Sequence, residues 1–203
     1  MGEGPHPTTQ PPQAAESAAP TPAATDFDRA LMDRAIEQAR RGRRPGASPI
    51  GCVIVLDGEI VAEGHNEVGL QHDPTAHAEM VAIRRACARL QREDLRGAVL
   101  YSTLQPCGMC TMASIWAHIG RIVYGAGRGA VHAMYFEGRS LDITDFIIDA
   151  YRTDLEVAGG VGAEACAALY YRPWDHPRPK SRAIYNFRPH FLVINVCVVQ
   201  KTG

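Results

Sequence analysis

The sequence lacks any apolar run long enough to cross a membrane. Its longest late apolar stretch, residues 191–199, is interrupted by Asn195 and falls far short of the roughly 20 residues that a spanning helix needs. It also lacks a charged start followed by an apolar segment, so no cleaved secretory signal is expected. Without export, we expect a cytoplasmic protein whose six cysteines stay reduced, which favours metal binding over disulfides.

Acidic side chains are missing from the last 28 residues, which carry five basic ones. The sign of the net charge is reversed in residues 26–175, which carry 16 Lys and Arg and 20 Asp and Glu, a net charge of −4. Because phosphate backbones are held mainly by Lys and Arg, an acidic body disfavours general binding of nucleic acid. The basic tail is the single feature of the composition that favours contact with RNA.

Internal repeats are also absent, and the composition, 46% hydrophobic and 21% charged, is that of an ordinary globular protein. Residues 1–25 are rich in Pro, Ala, Thr and Gln, which predicts a disordered N-terminal tail. Prolines and charges recur from residue 173 onward, which predicts a Pro-rich basic C-terminal tail over residues 173–203. We therefore expect one domain, residues 26–172, between two tails.

Hydrophobic periodicity predicts alternating helices and strands through this domain. Asp57-Gly58 is a two-residue hairpin signal between the first two strands. The predicted helices span residues 26–43, 73–90, 106–119, 140–151 and 163–171, and the predicted strands span residues 50–56, 60–65, 99–103, 121–124 and 155–157. This order favours an α/β layer fold, in which a mixed sheet carries helices on its faces.

Two short motifs place metal-binding side chains at predicted helix starts. His77 is followed two residues later by Glu79, and Pro106 is followed by Cys107 and Cys110. Cysteines three residues apart share one face of a helix, and the positive end of the helix dipole favours their thiolates. One His and two Cys leave a tetrahedral zinc ion one open position for water, whereas structural zinc sites close all four. The pattern therefore predicts a catalytic zinc site.

Glu79 is expected to act beside the metal and not on it. Around a helix, the side chains of His77 and Glu79 diverge by about 200°, so they are not a same-face pair of ligands. Zinc lowers the pKa of bound water from about 15.7 to roughly 7, and a neighbouring carboxylate can pass that proton to a ring nitrogen and then to a leaving amine. The alternatives for the C-x-x-C motif are a redox pair or half of a structural zinc knuckle.

Four sequence elements around these motifs resemble the cytidine deaminase superfamily of zinc hydrolytic deaminases, whose signature is H-x-E followed by P-C-x-x-C. They are Pro49-x-Gly51, Gly64-His65-Asn66, Asp73-Pro74-Thr75-Ala76-His77-Ala78-Glu79 and Leu104-Gln105-Pro106-Cys107-Gly108-Met109-Cys110. The elements follow the usual order and separations, and the resemblance covers residues 26–172. It implies a three-layer α/β/α fold with a mixed, five-stranded sheet, and usually a homodimer.

The resemblance also implies roles for individual residues. The metal ligands it implies, for one zinc ion per chain, are His77, Cys107 and Cys110. Glu79 would be the catalytic residue that moves protons. Asn66 would hydrogen-bond the substrate ring, and the backbone N–H of Ala78 would face the carbonyl or ring edge of the substrate.

The resemblance leaves the substrate open. Residues 73–79 are similar to both tRNA adenosine deaminases and small guanine deaminases, whereas residues 64–66 and 103–110 are closer to fungal-type cytosine deaminases. After Tyr124-Gly125-Ala126, tRNA enzymes normally continue with Arg-Asp and a Gly-rich segment, which residues 127–132 of this chain do not match. We therefore expect a small free nucleobase, of cytosine or guanine type. The alternatives are a tRNA adenosine deaminase and a catalytically silent zinc-binding scaffold, against which the presence of Glu79 argues.

Overall fold

The computed structural model describes residues 24–136 and 141–175, which form one five-stranded sheet with helices packed on it. The strands are β1 (Gly51–Leu56), β2 (Glu59–His65), β3 (Val99–Leu104), β4 (Arg121–Ala126) and β5 (Glu156–Gly159). The helices are α1 (Asp26–Arg41), α2 (Val68–Gln71), α3 (Ala78–Leu90), α4 (Gly108–Trp116), α5 (Ile143–Asp149) and α6 (Ala163–Ala167). Short 3₁₀ turns at Arg128–Ala130 and Ala133–Phe136 follow β4.

The sheet is mixed, with the strand order β2-β1-β3-β4-β5. β1 runs antiparallel to both β2 and β3, whereas β3, β4 and β5 are parallel to one another. The hairpin between β1 and β2 turns at Asp57 and Gly58, whose φ angles are +52° and +83°. Both are positive, as a tight two-residue hairpin requires, so the predicted hairpin and the mixed α/β class are confirmed.

Successive residues of β3 contact helices on opposite faces of the sheet. The Tyr101 hydroxyl donates to Asp28 of α1 at 2.9 Å, and the Ser102 hydroxyl donates to Glu79 of α3 at 3.1 Å. Side chains alternate between faces along a strand, so α1 and α3 lie on opposite faces. This gives the three-layer arrangement that the family resemblance implies.

Close backbone packing fixes the start of α3 against the sheet. A Cβ atom added at Gly64 in β2 would lie 2.8 Å from the backbone oxygen of Ala78, which is too close for any larger residue without a shift. Asn66, just beyond β2, is thereby brought to the N-terminal end of α3. The glycine at position 64 thus places two candidate site residues beside each other.

Asp28 ties α1 to the sheet through a buried ion pair. Its carboxylate, 1% exposed, accepts from Arg121 of β4 at 2.8 Å and from Tyr101 of β3, and it also caps α1 through Thr25. Burial raises the pKa of this carboxyl, but the bonds from Arg121, Thr25 and Tyr101 outweigh it and hold the pKa far below the usual range. The carboxylate is therefore charged at neutral pH.

Several helix boundaries differ from the prediction for local reasons. Thr25, and not Asp26, caps α1, since its side chain accepts from the backbone N–H of Asp28. The helix predicted from residue 73 begins at Ala78, because the Asp73 carboxylate accepts the N–H of Thr75 at 2.8 Å and holds a turn in place of a helix. The short helix α2 was not predicted, and the helices predicted over 106–119 and 163–171 are shorter, as given above.

The predicted tails fall mostly outside the described residues, and the division into a domain and two tails stays a prediction. Residues 1–23, 137–140 and 176–203 are not described. Across the part of the chain that is described, none of the helices combines the length and the apolar character that crossing a bilayer requires.

Candidate active site

Three metal-binding side chains meet at the starts of α3 and α4. His77 immediately precedes α3, Cys107 immediately precedes α4, and Cys110 lies in the first turn of α4. The sulfur atoms of Cys107 and Cys110 are each 3.7 Å from Nδ1 of His77. The three potential ligand atoms lie within 4.8 Å of one another, so they can share one ion.

The donor set fits zinc in a catalytic arrangement. Zinc is bound by imidazole nitrogen and thiolate sulfur, and catalytic sites use three protein ligands. Within residues 24–136 and 141–175, the group of side chains whose ligand atoms all lie close together consists of His77, Cys107 and Cys110. The other candidates are engaged elsewhere: His65 approaches Glu67, and His118 approaches Asp94 at 3.5 Å. A tetrahedral zinc ion held by these three side chains would have one further position for water.

Hydrogen bonding prepares one thiolate before any metal binds. A bond from the Cys110 thiol, opposed by burial and assisted by a bond to His77, lowers the pKa of Cys107 to about 4. The same contact with Cys107, together with burial, raises the pKa of Cys110. A coordinated cation would deprotonate both thiols. The hydrogen bond between the two thiols thus favours the thiolate at Cys107, and a bound metal would favour it at both cysteines.

Glu79 lies at the edge of this cluster and is not among its ligands. The side chain is 3% exposed and lies in the first turn of α3. Its Oε2 faces the sulfur of Cys110 at 3.5 Å, and its Oε1 accepts from the Ser102 hydroxyl at 3.1 Å. Burial raises the pKa of this carboxyl. The arrangement puts a proton acceptor beside the three candidate metal ligands.

One end of the Asn66 side-chain amide is hydrogen-bonded within the protein. Its backbone N–H donates to the carbonyl of Ile50 at 3.0 Å, and its side-chain oxygen accepts from the N–H of Val68 at 3.1 Å. The side-chain NH₂ is the end that can still meet a substrate acceptor. The neighbouring Glu67 donates its N–H to Ala76 at 2.9 Å, which brings Asn66 close to the residue before His77.

Ala78 is fully buried at the first position of α3. The first N–H groups of an α-helix have no intrahelical acceptor, so the N–H of Ala78 makes no hydrogen bond within α3. The contacts of Asn66 and Ala78 are compatible with the substrate roles expected from the sequence, which stay predictions.

Residues at the start of α5 and within it contact residues next to the metal cluster. These contacts were not predicted from the sequence. Gln105, just before the P-C-x-x-C motif, donates to Asp142 at the start of α5 at 2.7 Å. Phe146 of α5 packs against Gly108, where an added Cβ atom would lie 2.5 Å from its ring. The N-cap signal of Asp142 is in the sequence, but its pairing with Gln105, 37 positions away, is not.

Trp174 and Asp175 resemble, in sequence, the aromatic and acidic lid that some free-base deaminases bring from their C-terminus. In the structure, Trp174 is 68% exposed, and the Arg172 guanidinium lies 5.7 Å from the centre of its ring. Asp175 accepts from the N–H of Arg172 at 2.6 Å. These contacts are local, and a lid role for the two residues stays a prediction.

Comparison with known families identifies the class of protein. The model of the family "Cytidine and deoxycytidylate deaminase zinc-binding region" matches residues 25–126, which contain every residue of the cluster described above. The chain belongs to this family. It is therefore a zinc-binding deaminase, a hydrolase that acts on C–N bonds.

Curated relatives include enzymes with two different substrates. The chain is 41% identical over 158 residues to the tRNA-specific adenosine deaminase of Bacillus subtilis, covering 77% of this chain and 94% of that protein. It is 45% identical over 97 residues to the guanine deaminase of the same organism, covering 47% of this chain and 62% of that protein. The match to the tRNA-specific adenosine deaminase of Aquifex aeolicus is 45% identical over 92 residues, 45% of this chain and 61% of that protein. The last two alignments thus span less than two thirds of those relatives.

A solved structure shows the same fold. It comes from studies of A-to-I editing by tRNA:A34 deaminases at the wobble position of transfer RNA, is 35% identical, and superposes with a TM-score of 0.57. The match covers 69% of this chain and 98% of that one.

Proposed function

We propose that the protein hydrolyses the exocyclic amine of a small nucleobase, of cytosine or guanine type, and releases ammonia. The observation that carries this proposal is the position of Glu79. Its buried carboxylate lies 3.5 Å from the sulfur of Cys110 and stays outside the ligand set of His77, Cys107 and Cys110. A structural zinc site does not require a carboxylate beside its ligands, whereas hydrolysis requires a side chain that transfers protons.

The reaction consumes one water molecule. Zinc bound by His77, Cys107 and Cys110 would lower the pKa of a water molecule, so that the water can lose a proton and act as a nucleophile at neutral pH. Glu79 would take a proton from the attacking water and deliver it to a ring nitrogen while the water oxygen adds to the amino-bearing carbon. Glu79 would then move the second proton to the amine, so that the C–N bond breaks and ammonia leaves. The Asn66 amide and the Ala78 N–H orient the ring during these steps.

Two features support a small base as the substrate. Residues 26–175 carry 16 basic and 20 acidic residues, which is a poor surface for a polyanion. Arg128, in the segment that departs from the tRNA enzymes, contacts neighbouring residues of the chain: its guanidinium donates to the carbonyl of Leu141 at 2.7 Å and lies 4.6 Å from the Phe136 ring centre. Its charge therefore supports the local fold.

A tRNA adenosine deaminase is the second candidate. The alignment that covers 94% of the Bacillus subtilis tRNA enzyme favours it. So does a cleft lined by the exposed Arg43 and Arg44 and by Tyr135, Tyr170 and Tyr171, since guanidinium groups and aromatic rings can hold an RNA strand. The basic C-terminal residues lie outside the described part of the chain.

Ammonia release from a panel of substrates separates these functions. The zinc-loaded full chain is assayed with cytosine, guanine, adenine, their nucleosides, ammeline, and a tRNA anticodon stem-loop. We expect release from a free base and none from the stem-loop. Activity on the stem-loop alone would establish the second candidate, and no release from any compound would favour a silent scaffold.

Glu79→Gln tests the mechanism within the same assay. Loss of proton transfer should lower kcat on the order of 10²–10⁴-fold, with zinc content unchanged. The matched control is Glu164→Gln, which alters an exposed first-turn glutamate of α6 and should keep full activity. If Glu79→Gln retains wild-type kcat, the role assigned to this carboxylate is wrong.

We also propose a homodimer. Trp116 of α4, Ile148 of α5 and the adjacent Tyr151 are exposed, and α4 packs against α5, so these side chains lie on neighbouring elements. Exposed apolar surface of this kind marks interaction sites. Sedimentation equilibrium of the purified protein should give twice the chain mass, and Trp116→Glu should shift it to the monomer.

A further inference from the structure

Ser102 is a buried serine at the centre of the sheet to which the reaction above assigns no role. Its side chain is 0% exposed. β3, which carries it, is paired on both sides, with Cys52 of β1 and Tyr124 of β4 opposite Ser102. A group on a central strand is held more rigidly than one on a loop. A hydroxyl at this place can fix the position of whatever it binds.

The alternation of side chains along β3 decides where this hydroxyl points. Tyr101 and Thr103 face the side of α1 and α6, where they bond to Asp28 and to the Tyr170 hydroxyl. Ser102, between them, faces α3, and its Oγ donates to Oε1 of Glu79 at 3.1 Å. Of these three consecutive hydroxyl side chains, Ser102 is the one that meets the candidate site.

Glu79 needs such an anchor because of its flexibility. A glutamate has three rotatable side-chain bonds, and proton transfer is efficient only when donor and acceptor are within hydrogen-bond reach. With Oε1 engaged by Ser102, the other oxygen, Oε2, is the one that faces Cys110 at 3.5 Å. The serine contact thus determines which carboxylate oxygen is presented to the metal cluster.

We propose that Ser102 is a positioning residue that acts through Glu79. Its hydroxyl holds Oε1 and so orients Oε2 toward the reacting groups, without forming a covalent bond and without touching substrate. This inference rests on the proposed function, because the orientation matters only if Glu79 moves protons. Loss of the hydroxyl should lower kcat and leave KM and zinc binding in place.

The isosteric pair Ser102→Thr and Ser102→Val tests this role. Both variants add the same bulk at a fully buried position, and only the threonine variant keeps a hydroxyl. We expect kcat of the valine variant to be about 10- to 100-fold lower than that of the threonine variant, as for other misplaced catalytic groups. Zinc content and KM should be equal in the two, and the thermal unfolding midpoint of the valine variant should be slightly lower, because one buried hydrogen bond is lost.

The outcomes separate this inference from the proposed function. If the wild-type protein releases no ammonia from any panel compound, the proposed function fails. If the wild type is active and the two variants have equal kcat, the positioning role of Ser102 is wrong. A selective loss of zinc in the valine variant would also overturn it, since the hydroxyl would then support the ligands and not Glu79.

Ser102→Ala provides a second comparison in case the larger residues prevent folding. Its matched control is Ser114→Ala, which removes another fully buried hydroxyl, one that donates to the backbone carbonyl of Cys110 at 2.9 Å. A fall in kcat for Ser102→Ala well beyond that for Ser114→Ala supports the inference. Equal effects in the two would show that only buried packing was lost and would overturn it.

Discussion

Two parts of the chain contribute to the site in different ways. The first stretch is residues 25–126, and the later stretch is the described residues 127–136 and 141–175. Residues 25–126 match the zinc-deaminase family and contain every residue assigned to the metal, the proton transfer and the substrate. The later stretch reaches the site only indirectly, for example through Asp142 on Gln105 and Phe146 on Gly108. Yet both belong to one sheet, since β5 pairs with β4. The candidate catalytic residues and their outer support thus come from separate parts of the chain.

Cysteine substitutions in the two stretches give the largest expected contrast. Cys110→Ser should abolish stoichiometric zinc and ammonia release, because a three-ligand site that loses a thiolate holds the ion poorly. Cys166→Ser, in α6, alters another fully buried cysteine and should keep one zinc per chain. Metal analysis and the ammonia assay measure both. Zinc loss in Cys166→Ser would break the proposed division.

Ion pairs in the two stretches should differ in their effect on stability. Asp28→Asn removes the buried partner of Arg121 and should cost about 3 kcal/mol of unfolding free energy at pH 7. Because the pKa of Asp28 is lower in the folded than in the unfolded state, its contribution is full above pH of about 4 and declines as the pH falls further. Denaturant unfolding at several pH values should show the gap to the wild type closing in acid.

Asp154→Asn is the control for this experiment. Asp154 pairs with Arg152 in the later stretch, but its side chain is 68% exposed, and exposed pairs contribute little. We expect a much smaller loss of stability at pH 7. A loss as large as that of Asp28→Asn would show that the later stretch is as tightly integrated as the first.

Tyr170→Phe should have a small effect, confined to stability. The Tyr170 hydroxyl lies 2.7 Å from the Thr103 hydroxyl in the core, and the loss of such a bond costs about 1 kcal/mol. Denaturant unfolding should show this loss, with zinc content and kcat on the free base unchanged if this contact only supports the fold. A fall in kcat would mean that the later stretch affects the chemistry as well.

Much of the fold was predictable because its signals are local. The Asp57-Gly58 hairpin, the apolar strands and the alternation with helices gave the α/β class correctly. The C-x-x-C spacing and the upstream His77 likewise predicted three ligands that the structure brings together. Helix boundaries were less accurate. The start of α3 was misplaced because the Asp73 side chain competes for a backbone N–H, and propensity alone does not tell which partner wins.

By itself, the sequence predicted the kind of metal site, since ligand type and spacing at two helix starts indicate a His and two Cys that could bind one zinc ion. Only the tertiary structure decided what surrounds Glu79. Its contact with Ser102, 23 positions away, depends on the alternation of β3 and on the packing of α3 against the sheet. The Gln105–Asp142 and Thr103–Tyr170 contacts join still more distant positions. Such pairings arise when the layers pack together, and no local pattern in the chain specifies them.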